Sequence, residues 1–150
     1  LFPYNVQVRD FNLKKLSELS GKLLCYRAEL YGSTTQQAVE ETGVDYTLNL
    51  KKNCLVIIRS NYYVGADWCK VIGVEKENYG KFFCNGSVGI YRDTFTDPID
   101  GREYLMIELT ENGRFLCLYR KNYAIYEYVV INGKLKKVHT ENGFYAFPVI

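Results

Sequence analysis

A chain of 150 residues, 47% apolar and 24% charged, can bury one substantial core and is expected to form a single domain over residues 1–150. Its net charge of +2, with the lysines spread along the chain, disfavours a nucleic-acid partner, and no apolar run approaches the roughly 20 residues of a membrane helix. The opening LFPYNVQVRD lacks the basic start and apolar centre of a signal peptide, so the expectation is a soluble protein or the mature part of a processed one.

Residues 11 to 19 read as a short helix or helical turn, with Phe11, Leu13, Leu16 and Leu19 as its apolar face, Asp10 and Asn12 as caps and Gly21 as its end. From Lys22 onward, short runs of alternating apolar and polar residues favour strands, because β-branched and aromatic side chains suit a pleated, half-buried surface. These runs are residues 23–30, 45–50, 54–64, 70–76, 87–95, 103–110, 114–120 and 124–131, followed by 134–139. Between the first two, residues 34 to 41 read either as a helix capped by Ser33 or Thr34 and stopped at Gly43, or as a long loop. Asn132-Gly133 has the residue pair that a type I′ hairpin turn demands, and Asn112-Gly113 and Asn142-Gly143 repeat it. A meander of this length must protect its edges, and closure does so. The expected fold is therefore all-β, a single up-and-down antiparallel barrel of 8 to 10 strands with a short helical turn before it.

Five cysteines (Cys25, Cys54, Cys69, Cys84, Cys117) form no CxxC pair, and His139 is the only histidine, so no metal site is expected. Two disulfides would suit an oxidising compartment, five reduced thiols the cytosol. The sequon at Asn85 (Asn85-Gly86-Ser87), on a probable turn, favours glycosylation and a secreted, extracellular protein. In a meander Cys54 and Cys84 fall at the same barrel end, which makes them the favoured bridge, with Cys25 to Cys117 second and Cys69 free. With one histidine, no Ser-His-Asp or Cys-His constellation is readable, and no phosphate-binding loop is present, so the chain is not expected to be an enzyme. The exception to weigh is a thiol, Cys69 or Cys25, made reactive by a neighbour such as Lys70.

The residues also carry a family resemblance. A helical turn followed by Gly21-Lys22-Leu23-Leu24, then Asp45 to Leu48, Leu55 to Ile58, Trp68 to Gly73, Leu105 to Thr110 and Phe115 to Tyr119, is similar in order and spacing to the lipocalins. Leu23 stands where most lipocalins have tryptophan, and Thr110-Glu111-Asn112 departs from the family's signature between strands F and G. The resemblance implies a calyx that carries or scavenges a small hydrophobic or amphipathic molecule without a cofactor. With Leu23 taken as inward, side-chain alternation puts Cys25, Arg27 and Glu29 inside. The ligand-lining candidates are then Arg27, Tyr46, Ile57, Arg59, Val71, Ile90, Ile107, Leu118 and Tyr126, the arginines available to a ligand carboxylate. The alternative is a scaffold whose mouth loops, Tyr31 to Gly43, Tyr62 to Asp67 and Thr94 to Arg102, bind or inhibit another protein through Tyr31, Tyr62, Tyr63 and Phe95.

Overall fold

The structure, a computed structural model, describes residues 13–150 and is mostly β. Its strands are β1 (Leu24–Arg27), β2 (Glu29–Tyr31), β3 (Thr47–Leu50), β4 (Leu55–Ile57), β5 (Cys69–Val71), β6 (Val88–Thr96), β7 (Glu103–Leu109), β8 (Phe115–Leu118), β9 (Lys121–Ile131) and β10 (Lys134–Ala146). A helix α1 (Gln36–Glu41) follows β2, and a 3-10 helix covers Lys76–Lys81. The expected helix over 11 to 19 is helical at residues 13–17; Phe11 and the caps Asp10 and Asn12 lie outside the described residues.

All-β composition is as expected, but the described residues form no closed barrel. The strands make three open sheets, β1-β3, β2-β10-β9 and β4-β6-β7-β8-β5, all antiparallel. Only β6, β7 and β8 run as consecutive neighbours within the large sheet, while β5 crosses to pair with β8. The up-and-down order fails because residues 23–30 break in two at Ala28, whose backbone N–H donates to Tyr46 at 2.8 Å. The first half stays with β3; the second leaves to pair with β10.

Turn chemistry explains where the chain reverses. Asn132 and Gly133 both take positive φ, 52° and 75°, and join β9 to β10 as a type I′ pair should. Asn142-Gly143 is not a turn. It lies within β10, where the register slips between His139 and Gly143, so the segment bulges and continues as strand. Helix α1 does form, capped by the residue after both candidates, Ser33 and Thr34: Thr35 Oγ1 accepts from the Ala38 N–H at 3.2 Å. Thr34 is engaged elsewhere, donating to the Tyr31 carbonyl and accepting from the Gly143 N–H, both at 2.8 Å.

Two apolar clusters hold the sheets. The larger gathers Val56, Trp68, Tyr91, Leu105, Ile107, Leu116 and Leu118 under the five-stranded sheet. The smaller packs Val39 of α1 and Val44 against Ala28, Phe144 and Ala146, beneath β2-β10-β9. Side-chain direction matches the expected alternation on β5, β7 and β8 but is reversed on β1, β4 and β6. Leu24 and Tyr26 face the core while Cys25 and Arg27 face out; Val56 is buried while Leu55 and Ile57 are exposed; Tyr91 is buried beside half-exposed Ile90. Since the side-chain period is two, a one-residue error in the assumed starting point at Leu23 inverts every later position on that strand.

All five cysteines are free. Cys54 sits where its carbonyl accepts from the Tyr91 N–H, whereas Cys84 belongs to the turn whose Gly86 N–H donates to Ile58. They lie at opposite ends of the β4 segment, and the run from 54 to 58 spans about 13 Å, beyond the roughly 7 Å Cα limit of a disulfide. Cys25 pairs with Asn49 in the two-stranded sheet and Cys117 lies inside the five-stranded one, so the second bridge is absent too. The thiol expectation is likewise corrected for Cys69: it is buried, burial pushes its pKa up to about 12, and Lys70 points away toward Asp97 and Asp100.

Candidate functional site

The outer face of the β2-β10-β9 sheet carries the most distinctive surface. Cross-strand partners share a face, as do alternate residues along one strand. The pairings Asn122 with Tyr145, Gly143 with Tyr31, Tyr126 with His139 and Tyr128 with Lys137 therefore set four tyrosines, a lysine and a histidine on one side. The other side holds Tyr123 and Phe144, stacked at 4.9 Å with an interplanar angle of 11° over the smaller core.

Glycine at 143 makes the strip possible. Any Cβ there would collide with the Tyr31 ring and come within 2.8 Å of the Tyr123 carbonyl oxygen, so only glycine lets the ring lie across the strand. Asn142, in the bulge, anchors the same corner: its Oδ1 accepts from the Ser33 N–H at 2.8 Å. Tyr31 then packs against Tyr145 at 5.5 Å and its hydroxyl donates to Asn122 Oδ1 at 2.7 Å. Burial, with the neighbouring Tyr145, raises the Tyr31 phenol above its ordinary pKa.

Further along, β9 and β10 continue past the end of β2 as a two-stranded arm closed by the Asn132-Gly133 turn. Tyr126 lies 4.4 Å from the His139 ring, and the Lys137 ammonium sits 4.1 Å over the Tyr126 ring, a cation–π distance. Tyr128 is 66% exposed, Tyr126 40% and Tyr145 38%. On the arm from 124 to 139 the one carboxylate is Glu127, which pairs with Val138 and so faces the other side. Aromatic faces next to a lysine with no carboxylate partner among the described residues suit flat, anionic ligands.

Two other polar constellations are structural. Lys121 Nζ donates to Ser60 Oγ at 2.7 Å and lies over the Trp68 and Tyr123 rings at 5.7 and 5.2 Å, so it ties the small sheet to the large one. Burial holds that amine below its usual pKa. In the loop after β6, Tyr104 Oη donates to Asp100 at 2.6 Å and Lys70 bridges Asp97 and Asp100. The Tyr104 hydroxyl, the Arg102 N–H and Lys70 together depress the Asp100 carboxyl to about 2.

The nine residues expected to line a calyx are scattered. Val71, Ile107 and Leu118 are packed inside the larger core, Tyr46 leans on the smaller one, and Arg27 is exposed. Arg59 faces Gly43, Ile90 is half-buried on β6, Ile57 lies on the outer side of β4, and Tyr126 belongs to the strip. An open apolar groove of about 750 Å³ runs between the 13–17 helix, β3 and β4, and Ile57 alone of the nine lines it. Nor do the proposed loop anchors form one rim. Tyr62 packs on Tyr79 and Phe83, and Phe95 stacks on Tyr104 at 5.7 Å. Of the strip, sequence reasoning singled out Tyr126 as a lining residue and Tyr31 as a loop anchor; the run of alternate tyrosines beside lysines and histidine was the available signal. Asn85, the sequon residue, is exposed in its turn, with its N–H bonded to Asn61 Oδ1 at 2.8 Å.

No family model matches the sequence, and no curated protein matches it. Among solved structures, the Pif1 helicase of Bacteroides bound to single-stranded DNA superposes with a TM-score of 0.65 at 15% identity, over 97% of this chain and 27% of that one. The fold is shared with Pif1 helicases. The Bacteroides Pif1 helicase in complex with ADP-AlF3 and single-stranded DNA aligns at a TM-score of 0.62 and 17% identity, over 95% of this chain and 27% of that one. The Candida albicans Pif1 helicase aligns at 0.62 and 17%, over 99% of this chain and 32% of that one. The likeness is one of fold, and the chain spans about a quarter to a third of the helicases it matches.

These matches overturn the lipocalin resemblance and the roles drawn from it, both the small-molecule carrier and the loop scaffold. Short helix, glycine and successive strands occur in both architectures, so order and spacing alone did not separate them. The expectation of no nucleic-acid partner is corrected as well, because two of the matching proteins hold single-stranded DNA. So is the expectation of a non-enzymatic family: the proteins that share this fold are helicases. Among the described residues, no helix is long and apolar enough to cross a membrane.

Proposed function

We propose that this chain is a β-rich portion of a Pif1-like helicase and that it contacts single-stranded DNA, with nucleotide hydrolysis carried out by other parts of that protein. The observation that carries this reading is the alignment of nearly the whole chain with a helicase solved on single-stranded DNA. A feature of the sequence supports the division of labour. A phosphate-cradling loop needs Gly-Lys followed by Ser or Thr, and the three Gly-Lys pairs here (Gly21-Lys22, Gly80-Lys81, Gly133-Lys134) are followed by Leu23, Phe82 and Leu135. Net charge +2 argues that affinity rests on ring stacking more than on phosphate neutralisation.

Fluorescence anisotropy with a labelled oligo-dT strand, repeated from about 50 to 200 mM salt, tests the proposal. The expected result is saturable binding with a shallow salt slope and weak competition by duplex DNA. A chain that binds neither oligo-dT nor mixed-sequence single strands at any salt would refute it.

A further inference from the structure

We infer that the strip formed by Tyr145, Tyr31, Tyr126 and Tyr128 is a base-stacking platform on which single-stranded DNA lies along the β9–β10 arm. This deepens the reading above and rests on it. On one face of the arm Tyr126, Tyr128, Val130, Leu135, Lys137 and His139 are all exposed; on the other, Ile125, Val129 and Val138 are half-buried while Glu127, Ile131, Lys134 and Lys136 are exposed, so what distinguishes the first face is its rings. Large aromatic side chains are thus left on the free side, where solubility alone would favour small polar ones.

Charge and spacing both suit a nucleic-acid strand. Lys137 stands within the row of rings, and the arm's one carboxylate faces away. Alternate residues on a strand repeat at about 6.6 Å, close to two rises of about 3.4 Å in stacked DNA, so a strand at stacked spacing meets one ring for roughly every two nucleotides, and a more extended strand more. A duplex cannot offer its base faces to such a surface. Every base has a π face, so the platform reads strandedness and not sequence. Tyr128 has the most open ring and is the principal contact; Tyr126, already held by Lys137 and His139, presents a fixed second surface.

The test uses the whole chain with labelled oligo-dT and with the same strand carrying abasic sites. Tyr128→Ala is expected to weaken oligo-dT binding about 5-fold or more, and the Tyr126→Ala/Tyr128→Ala pair further, while Tyr128→Phe keeps wild-type affinity because stacking needs the ring and not the hydroxyl. Abasic strands should bind wild type and Tyr128→Ala alike. Urea midpoints of the variants establish that each is folded, and photocrosslinking of a 5-iodouracil strand should place the adduct on Tyr126 or Tyr128. Wild-type affinity in the folded double variant overturns the platform and leaves the single-strand reading standing. Absence of binding by the wild type overturns both. Loss of self-association in the double variant with DNA binding unchanged overturns the platform in favour of a second copy of the chain.

Discussion

Gly143→Ala is the sharpest test of how the tyrosine strip is built. The added Cβ would overlap the Tyr31 ring and lie 2.8 Å from the Tyr123 carbonyl oxygen, and the carbonyl, being part of the β9 ladder, cannot move far. Tyr31 must swing away. It then loses its hydrogen bond to Asn122, a half-exposed bond of about 0.5–1.5 kcal/mol, and its ring contact with Tyr145, about 0.5–1.5 kcal/mol. With some of the strain against the carbonyl retained, the cost should be about 1–3 kcal/mol, the usual range for overpacking. Urea unfolding should show a lower midpoint with an unchanged slope. The same substitution made on a Tyr31→Ala background should cost less than in the wild type, since the ring it displaces is already gone and only the contact with the Tyr123 carbonyl remains. If Gly143→Ala shifts stability by under about 0.5 kcal/mol, or costs the same with and without Tyr31, the ring does not lie over the glycine and the geometry of the strip is wrong.

Leu118→Ala removes a fully buried side chain from the larger core and should destabilise by about 2–5 kcal/mol in the same assay, whereas truncating exposed Leu55 should stay within about 0.5 kcal/mol. Alkylation in urea without reductant should label five thiols, and reductant should leave the unfolding midpoint unchanged, where a native bridge would contribute about 2–4 kcal/mol. The Asp100 carboxyl is depressed to about 2 when folded, so between pH 4 and 2 the unfolded chain binds more protons than the folded one. Its stabilising contribution is present above pH 4 and fades as pH falls toward 2; Asp100→Asn should flatten the stability profile across that window.

Local chemistry in the sequence located most of the elements. The alternating runs place nine strand segments because a half-buried pleat demands period-two patterning, and Asn132-Gly133 fixes one hairpin because both of its φ values must be positive. For α1 the sequence left helix or loop open, and the observed cap is Thr35, next to the candidates Ser33 and Thr34. Each of these is settled by neighbours a few residues away. Partners and faces were decided elsewhere. β2 pairs with β10 across more than a hundred residues, and that pairing turns Asn142-Gly143 from a plausible turn into a bulged strand whose missing side chain seats Tyr31. The inward direction on β1, β4 and β6 followed from which sheet each strand joined, a non-local choice that one residue of register reverses. Four tyrosines from three strands become one surface through that same long-range register, which is why composition alone could count them but only the tertiary structure could align them.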